Sequence, residues 1–303
     1  MAVDVLCIGH AAYDLSVFVD SFPQENSKCE TQELLESAGG PAANAAYLLS
    51  MWNARCAFAG LVGDDRYGSR IRAEFQAVGT DVSLLEVRPG HLTPLSVILI
   101  NRQNGSRTIV NRKIAETDLQ MNSAALAGLT PRVLLFDGHE LDASLEALRA
   151  FPDAVSILDA GSLRKGTEEL AGRVDYLVGS ERFALRAAGF STLNNEVGQR
   201  ACISRLRERF ATVVVVTLGE KGLIADDGSG FRHVPAFPAQ AVDTTGAGDI
   251  FHGAFAYAVA RQIAFGDALR MASMAACLSV QVAGGRASIP SLQKVREALD
   301  HAD

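Results

Sequence analysis

Short runs of β-branched and aliphatic residues alternate with longer helical stretches along most of this 303-residue chain. The alternation constrains the fold strongly, because a strand, a crossover helix and a second strand form a right-handed unit whose two strands are parallel. We therefore predict an α/β fold with a mainly parallel central sheet and helices on both of its faces. The predicted strands are residues 3–8, 57–62, 133–136, 155–158, 176–178 and 213–217, and the predicted helices are 41–52, 67–78, 143–150 and 195–210.

Two intervals, 15–37 and 95–111, break this alternation, because they contain strand-forming residues without a crossover helix. The second interval contains the turn Gln103-Asn104-Gly105-Ser106, which is typical of a β-hairpin. These intervals predict a small β-sheet that stands off the main sheet as a lid. The chain has no linker rich in Pro, Gly or Ser and no repeat, so we expect a single domain over residues 1–303.

Composition and charge narrow the class of protein. A hydrophobic content of 48% with 21% charged residues is typical of a soluble globular protein with a sizeable core. The formal net charge of −7 argues against nucleic acid as a partner. The five cysteines are scattered without a C-x-x-C pair, and neither a signal peptide nor an apolar run of membrane-spanning length is evident. We therefore expect a cytoplasmic protein without a membrane partner.

The stretch VDTTGAGDIFHG, residues 242–253, places small residues between two carboxylates where an apolar helix is predicted over 250–260. The first N–H groups of a helix lack intrahelical partners, the helix dipole is positive there, and glycine lets an anion approach closely. The turn Gly246-Ala247-Gly248 is therefore a candidate anion hole beside Asp249. The alternative is a tight turn in which Asp249 only caps or opens the helix.

A second glycine motif, Gly39-Gly40-Pro41-Ala42-Ala43-Asn44, leads into the helix predicted over 41–52. The two glycines allow a close backbone turn, and Pro41 suits the first position of a helix. Asn44 would lie in the first turn, where its amide can both donate and accept hydrogen bonds from a hydroxyl-bearing ligand. A purely structural role for the motif is the alternative.

Polar residues and glycines follow the predicted strands at the points where the strands end. In a parallel sheet these carboxyl ends share one edge, where ligands bind. For Asp64, Asp65 and Asp159 we favour ordinary loop residues or helix caps. The segments are Gly9-His10, Gly63-Asp64-Asp65, Asp137-Gly138-His139, Asp159-Ala160-Gly161, Gly179-Ser180-Glu181 and residues 217–222.

Together these motifs resemble the PfkB, or ribokinase-like, family of carbohydrate and nucleoside kinases. The resemblance covers almost the whole chain, and its most specific motif is Asp243-Thr-x-Gly-Ala-Gly-Asp249. It implies a three-layer α/β sandwich with a β-sheet lid, and ATP-dependent phosphorylation of a sugar hydroxyl. No G-x-x-x-x-G-K-[ST] segment is present, so a P-loop kinase is not supported. The other matching residues are Gly9 with Asp14, Gly39-Gly40 with Asn44, and Thr217-x-Gly219-x-x-Gly222.

The resemblance also implies roles for individual residues. Asp249 is expected to be the base that accepts the sugar hydroxyl proton, and the amides of Gly246, Ala247 and Gly248 are expected to hold the γ-phosphoryl oxygens. The lid is expected to close over the sugar and exclude water. Sugar hydroxyls would be bound by Asp14, Gly39, Gly40 and Asn44, and the nucleotide by Thr217, Gly219, Gly222, Ser180 and the helix over 272–282.

ATP and Mg²⁺ are the expected cofactors, and K⁺ is a further candidate. Asp243 and Thr245, with carbonyls near 284–288, resemble a monovalent-cation site found in many members of the family. The Asn-x-x-Glu segment that helps many members organise Mg²⁺ corresponds here to Ser180-Glu181-Arg182-Phe183. Because the register is shifted, the placement of Mg²⁺ stays open: Glu181 either acts through water or only favours a helix N-terminus.

Three classes of function follow from this resemblance: a sugar kinase, a nucleoside kinase of the same fold, and a sugar or nucleotide sensor without catalysis. Asp249 beside an anion hole favours an enzyme, because a binder gains nothing obvious from a base at a phosphate site. The segments GGRASIP, residues 284–290, and Phe251-His252-Gly253 resemble a bacterial branch that includes ketohexose and sulfofructose kinases. Arg286 in the first segment either reaches a nucleotide phosphate or is a solvated loop residue.

The substrate is predicted to be a ketohexose or an acidic or sulfonated sugar. Cationic and polar side chains of the lid and of one strand end would form a pocket for the acidic group, although Lys and Arg in a lid are often only solvated. The sequence does not determine which hydroxyl is phosphorylated. Lid strands that pair between protomers would give a homodimer. The residues of the predicted pocket are Lys28, Asn111, Arg112, Lys113 and His139.

Overall fold

The computed structural model describes residues 2–113 and 118–302, which form two β-sheets with helices packed around them. Residues 1, 114–117 and 303 of the predicted domain lie outside the described residues. The strands are β1 (Ala2–Ile8), β2 (Ala12–Val19), β3 (Leu34–Gly39), β4 (Cys56–Gly63), β5 (Leu85–Arg88), β6 (Leu95–Asn101), β7 (Arg107–Arg112), β8 (Thr130–Phe136), β9 (Val155–Ala160), β10 (Tyr176–Ser180), β11 (Val213–Thr217), β12 (Leu223–Asp226) and β13 (Phe231–Val234). The helices are α1 (Pro41–Met51), α2 (Arg66–Ala77), α3 (Ser123–Leu126), α4 (Leu141–Ala150), α5 (Lys165–Ala171), α6 (Glu181–Ala188), α7 (Glu196–Phe210), α8 (Ala247–Ala260), α9 (Phe265–Ser279) and α10 (Leu292–Asp300).

The large sheet contains nine strands in the order β13-β12-β11-β10-β9-β8-β1-β4-β5. The strands from β11 to β5 in this order are parallel, and β12 and β13 extend one edge in antiparallel orientation. The prediction of a mainly parallel α/β sheet is therefore confirmed. The prediction omitted β5, β12 and β13, because each has only four residues and so carries little periodic signal.

Helices cover both faces of the large sheet, so its central strands are buried on both sides. In β1, Val5 and Cys7 join the apolar core beneath α1, α2, α8, α9 and α10. Leu6 and Ile8 alternate with them and join a second core beneath the helices from α3 to α7. This is the three-layer sandwich that the resemblance implies. No helix in the described ranges is both long and apolar enough to cross a membrane.

The remaining strands form a small sheet in the order β3-β2-β6-β7. Two antiparallel hairpins, β2–β3 and β6–β7, join through parallel pairing of β2 with β6. The small sheet was predicted from the intervals 15–37 and 95–111, but β2 already begins at Ala12 and β3 ends at Gly39. The turn of the second hairpin contains Gly105 at φ 66°, a backbone conformation that glycine adopts without strain.

Both sheets meet at the carboxyl end of β1. The strand order reverses there, because β4 and β5 lie on one side of β1 and the strands from β8 to β11 follow on the other. In open α/β sheets such a reversal leaves a crevice in which ligands bind. Only residues 9–11 separate β1 from β2, so the small sheet stands at this crevice.

Candidate active site

The turn Gly246-Ala247-Gly248, called the glycine turn below, forms the start of α8 and has little side-chain cover over its backbone. Gly246 is the N-cap with φ 76°, a left-handed conformation that disfavours side chains. Gly248 is exposed, and a Cβ built on it would meet no other heavy atom within 4 Å. The N–H of Ala247 was predicted to hold a phosphoryl oxygen, but in the structure it donates to the carbonyl oxygen of Thr244 at 3.4 Å and is engaged within the turn. The open backbone and the positive end of the helix dipole therefore suit an anion.

The carboxyl group of Asp249 lies in the first turn of α8, where Asn44 of α1 contacts it. The Nδ2 of Asn44 donates to Oδ2 of Asp249 at 2.7 Å. Burial and the nearby charge of Asp159 raise the pKa of Asp249 to about 7, because both disfavour the ionised form. The hydrogen bond from Asn44 and the charges of His252 and Arg107 act in the opposite direction. A carboxyl group that titrates near neutrality is well matched to proton transfer.

Asp159 and His252 form a buried pair behind the glycine turn. Asp159 lies within β9, so the interpretation of a loop residue or helix cap is wrong for this residue. The Nδ1 atom of His252 lies 2.6 Å from the carbonyl oxygen of Gly248 and 3.2 Å from Oδ2 of Asp159. Its Nε2 atom lies 3.1 Å from the carbonyl oxygen of Val178. These contacts fix the first turn of α8 against the large sheet.

The other two strand-end carboxylates have the structural roles favoured from the sequence. Asp65 is the N-cap of α2, and its Oδ1 accepts the N–H groups of Tyr67 and Gly68. Asp64 accepts the N–H of Gly90 at 3.1 Å. Neither contact involves the glycine turn before α8.

A buried arginine stands beside Asn44. Arg286 is 5% exposed, and its guanidinium lies 4.7 Å from the ring centroids of both Tyr47 and Phe75. Its Nε donates to Oδ1 of Asn44 at 3.2 Å, and its Nη1 donates to Oε2 of Glu74 at 2.8 Å. The interpretation of Arg286 as a solvated loop residue is therefore wrong. The sequence carries no signal for this burial, because the two rings come from distant parts of the chain.

The small sheet carries a row of polar side chains across its four strands. Asp14 on β2 lies opposite Ser37 on β3 and Ser96 on β6, and Ser96 lies opposite Asn111 on β7. Directly opposed residues share one face of a sheet, so Asp14 and Asn111 belong to the same surface. A Cβ at Gly39 would come within 2.0 Å of Oδ2 of Asp14, so a larger residue at that position would displace the Asp14 carboxylate. Burial raises the pKa of Asp14.

The hairpin of β6 and β7 reaches the turn before α8. Nη1 of Arg107 donates to the carbonyl oxygen of Thr244 at 2.9 Å and to its Oγ1 at 2.6 Å. Oγ1 of Thr244 donates to the carbonyl oxygen of Gly105 at 3.2 Å. The small sheet thus touches the glycine turn directly. Arg107 was not predicted, because its only signal in the sequence is its position just after the predicted hairpin turn.

Cationic groups gather beside the Gly39-Gly40 turn, where a Cβ on Gly40 would lie 2.2 Å from the carbonyl oxygen of His10. The rings of His10 and His139 stack with centroids 4.6 Å apart. Burial, together with the charges of Lys113 and Arg164, lowers the pKa of both histidines, to about 2 for His139. Both histidines are therefore neutral near pH 7, and Lys113 and Arg164 carry the positive charge of this cationic cluster, which is defined as His10, Lys113, His139 and Arg164.

The cationic cluster differs from the predicted pocket in its members. Lys113 and His139 were predicted, whereas His10 and Arg164 were not assigned to it. Lys28 is exposed in the segment between β2 and β3, and no described contact joins it to the cluster. Nη2 of Arg112 donates to the carbonyl oxygen of Thr93 at 2.8 Å. Asn111 joins the polar row of the small sheet instead.

A cavity of about 600 Å³ opens beside the start of α8. It brings three of the residues predicted to bind nucleotide, Thr217, Gly219 and Gly222, together with Ala247 and Gly248 of the glycine turn. One wall comes from α9 and the residues after it, which overlap the helix predicted over 272–282. The residues of that wall are Ser273, Ala276, Cys277 and Val280.

Ser180 does not line this cavity, in contrast to its predicted role in binding nucleotide. Its Oγ accepts the N–H of Phe183 at 3.1 Å and donates to the carbonyl oxygen of Gly161 at 2.9 Å, so it caps α6. Glu181 is the first residue of that helix. Among residues 2–113 and 118–302, no group of three or more His, Cys, Asp or Glu side chains is arranged to hold a metal ion. These side chains therefore do not by themselves complete a Mg²⁺ site.

The residues of the predicted monovalent-cation site lie together below the glycine turn. Asp243 is 1% exposed, and its two carboxylate oxygens accept the N–H groups of Thr245 at 2.8 Å and Gly284 at 2.9 Å. Oγ1 of Thr245 is buried without a hydrogen-bond partner in the described part of the chain. An unpartnered buried oxygen in an oxygen-rich turn fits a bound cation.

The mainly parallel sheet with a strand-order reversal and the small separate sheet define a ribokinase-like α/β fold, and the glycine turn lies beside a partly buried acid. Residues 2–292 match the family model for pfkB family carbohydrate kinases. The chain belongs to this family and is an ATP-dependent carbohydrate kinase. The resemblance to this family, the predicted fold class and the predicted enzyme class are therefore confirmed.

Individual relatives agree with this assignment over nearly their full lengths. The chain is 25% identical to a ribokinase of Haemophilus influenzae, covering 97% of this chain and 98% of that protein. It is 27% identical to a ketohexokinase of Mus musculus, covering 88% of this chain and 92% of that protein. The structure of an Arabidopsis thaliana ribokinase complexed with ribose and ATP superposes with a TM-score of 0.82 at 25% identity, covering 99% of both chains.

Proposed function

We propose that this kinase transfers the γ-phosphoryl group of ATP to a hydroxyl of a ketohexose that carries an acidic group. One observation carries the proposal of the reaction: Asp249, held by Asn44, stands at the open start of α8 beside a cavity of nucleotide size. The family relationship to a ketohexokinase supports the choice of a six-carbon ketose. The cationic cluster supports the choice of an acidic derivative.

In this proposal the sugar hydroxyl binds next to Asp249 and attacks the γ-phosphorus of ATP. Its proton moves to the Asp249 carboxylate as the new O–P bond forms and the bond to the β-phosphate oxygen breaks, which releases ADP. A pKa of about 7 suits this exchange, because the carboxylate is then ionised in a substantial fraction of molecules yet basic enough to take the proton. The backbone N–H groups of Gly246 and Gly248 stabilise the charge on the transferring group.

We assign ATP to the cavity between the 217–222 turn and α9, with its phosphates at the glycine turn. Mg²⁺ would reach the site on the nucleotide phosphates and neutralise part of their charge. A monovalent cation would be held by Asp243 and Thr245, where the unpartnered Oγ1 supports its binding. The residues proposed to bind the sugar are Asp14, Gly39, Gly40, Asn44 and Asn111.

The acidic group of the sugar is assigned to the cationic cluster. Asp137, beneath the cluster, already accepts the N–H groups of His10, Ala42 and His139. Neither Lys113 nor Arg164 forms an ion pair with an acidic side chain within the described ranges. Nε of Arg164 is buried and has no described hydrogen-bond partner. A sulfonate, phosphate or carboxylate would supply the missing acceptors.

The small sheet is proposed to act as the lid of a single kinase domain. Its hairpin already touches the glycine turn through Arg107 and Gly105, so its closure would exclude water from the phosphoryl group. Its other face exposes apolar side chains beside Glu36, Thr108 and Arg112: Leu34, Val97 and Val110 are 53%, 37% and 64% exposed. We propose that this face pairs with a second copy of the chain, since exposed apolar strands favour association.

A substrate panel with ATP and Mg²⁺, with ADP release as the readout, tests the proposed function. Fructose, fructose 6-phosphate, sulfofructose, 2-keto-3-deoxygluconate, ribose and adenosine are compared by kcat/KM. The proposal requires that an acidic ketose is used better than fructose, and that Lys113→Ala reduces this advantage more than Lys28→Ala does. A preference for adenosine would instead identify a nucleoside kinase, and binding without ADP release would identify a sensor.

A further inference from the structure

The amide of Asn44 has only one orientation that satisfies both of its neighbours. An ionised Asp249 carboxylate only accepts hydrogen bonds, and the guanidinium of Arg286 only donates them. Nδ2 must therefore face Asp249 and Oδ1 must face Arg286, as in the structure, where the distances are 2.7 and 3.2 Å. Arg286 thus determines which end of the amide meets Asp249.

Arg286 is itself held firmly, so it can impose this orientation. Its guanidinium lies between two aromatic rings and donates to Glu74 at 2.8 Å. The Glu74 carboxylate in turn accepts the N–H of Ala38, at 3.0 Å for Oε1 and 3.2 Å for Oε2. A continuous set of contacts therefore runs from the backbone of β3 through Glu74, Arg286 and Asn44 to Asp249.

We propose that Arg286 is a positioning residue that keeps Asn44 donating to Asp249, and thereby favours the ionised base. This inference rests on the proposed role of Asp249. Without Arg286 the amide can turn over, so that Oδ1 of Asn44 accepts a hydrogen bond from protonated Asp249. Protonated Asp249 then has a hydrogen-bond acceptor that it lacks in the native arrangement. Loss of Arg286 should therefore make Asp249 easier to protonate.

The other charged groups that face Asp249 stay in place when Arg286 is replaced. They are Asp159 on β9, His252 on α8 and Arg107 on β7. Glu74 keeps its bonds to the Ala38 N–H after the replacement, and it is partly exposed, with 29% of its side chain accessible. A change in the titration of Asp249 can therefore be traced to Asn44 and Arg286.

The test is a carboxyl ¹³C NMR titration of the free enzyme with labelled aspartate, in which the Asp249 signal is assigned by its loss in Asp249→Asn. We expect Arg286→Met to raise the pKa of Asp249 by about one unit, a tenfold change in its protonation equilibrium. Arg286→Lys retains a donor for Asn44 and should restore most of the wild-type value. Arg102→Ala removes an arginine that pairs with Glu33 at 3.0 Å on the small sheet, and should leave the titration unchanged.

A double-mutant cycle separates positioning from a direct effect of the charge. In the Asn44→Ala background, Arg286→Met should shift the pKa of Asp249 little further, because the amide that transmits the effect is gone. An equal shift in both backgrounds, or no shift in Arg286→Met alone, overturns the proposal. If Arg286→Met does not fold, the side-chain ¹⁵N signal of Asn44 in the wild type tests the proposal instead. It must keep one amide orientation while Asp249 titrates, and a reversal on protonation refutes the proposal.

Turnover provides a second readout. The acid limb of kcat/KM for the best sugar should move to higher pH in Arg286→Met by the same amount as the NMR titration, while KM for ATP stays near its wild-type value. The titration needs no turnover. A wild type that phosphorylates no sugar would therefore refute the proposed function, while the role of Arg286 would still be decided by NMR.

Discussion

At the scale of single residues, the protonation of Asp249 governs the expected activity. Burial raises its pKa to about 7, and a base must be ionised to accept a proton. We expect kcat/KM to rise with pH through about 7 and to be lost progressively below that value. A pH profile with the best sugar measures this limb, and a profile that stays flat down to pH 5 would contradict the assignment.

Replacing Asp249 by Asn keeps the shape of the side chain and removes the base. We expect kcat to fall by about two or more orders of magnitude, the usual share of general-base catalysis, while ATP still binds. Steady-state kinetics and calorimetric titration with ATP measure the two effects. Turnover close to the wild type would show that another group takes the proton.

Gly248→Val tests the glycine turn. A Cβ at Gly248 meets no heavy atom within 4 Å, so the variant should fold, but its side chain would occupy the space assigned to the phosphoryl group. We expect kcat/KM for ATP to fall by about tenfold or more, the cost of weakening one charged hydrogen bond. Gly266→Val is the matched control, because Gly266 is also the second residue of a helix with open space around it. Equal losses in both variants would argue against an anion hole.

The residues of the two glycine motifs could be predicted from the sequence, and the fold brings them into contact. Asp249, Asn44 and the glycine turn lie within one site because their spacing belongs to one family pattern. Arg286 and His252 could not be understood in this way, since their environments are made by rings, carbonyls and carboxylates from other parts of the chain. Lys28 was selected by charge alone, and charge does not determine where a lid side chain points.

At the scale of elements, the contact between the β6–β7 hairpin and the turn before α8 should control closure of the lid. We expect Arg107→Ala to reduce kcat/KM by about tenfold, because two hydrogen bonds from a charged group to Thr244 are lost. Hydrogen exchange in the hairpin should become faster. Arg102→Ala removes another arginine of the same hairpin, one that pairs with Glu33 and not with Thr244, and should leave kcat/KM unchanged.

The long elements were predicted well because periodicity accumulates over many residues. α1 and α7 differ from their predicted ranges by one residue at one end. The two intervals of the small sheet were predicted from the missing crossover helices. The pairing of their strands was not predicted, because the parallel pairing of β2 with β6 joins two hairpins that are distant in the sequence. The antiparallel edge formed by β12 and β13 also lay beyond a prediction based on alternation.

At the scale of the whole molecule, the apolar face of the small sheet predicts a dimer. Val110 lies opposite Val97 on this face and is 64% exposed. We expect the wild type to elute as a dimer and Val110→Asp to elute as a monomer, measured by size-exclusion chromatography with light scattering. Val197→Asp, at a position that is 79% exposed on α7, should remain dimeric. A monomeric wild type would contradict the prediction.

The polar row of the small sheet and the nucleotide cavity are encoded in different parts of the chain. Asp14, Ser96 and Asn111 precede residue 114, whereas the cavity is lined mainly by residues from 217 onwards. Under the proposed function, recognition of the phosphoryl acceptor can therefore diverge during evolution while recognition of the donor is inherited unchanged. The contacts of Asn44 with Asp249 and Arg286 join the two parts, so recombination between relatives would have to preserve them.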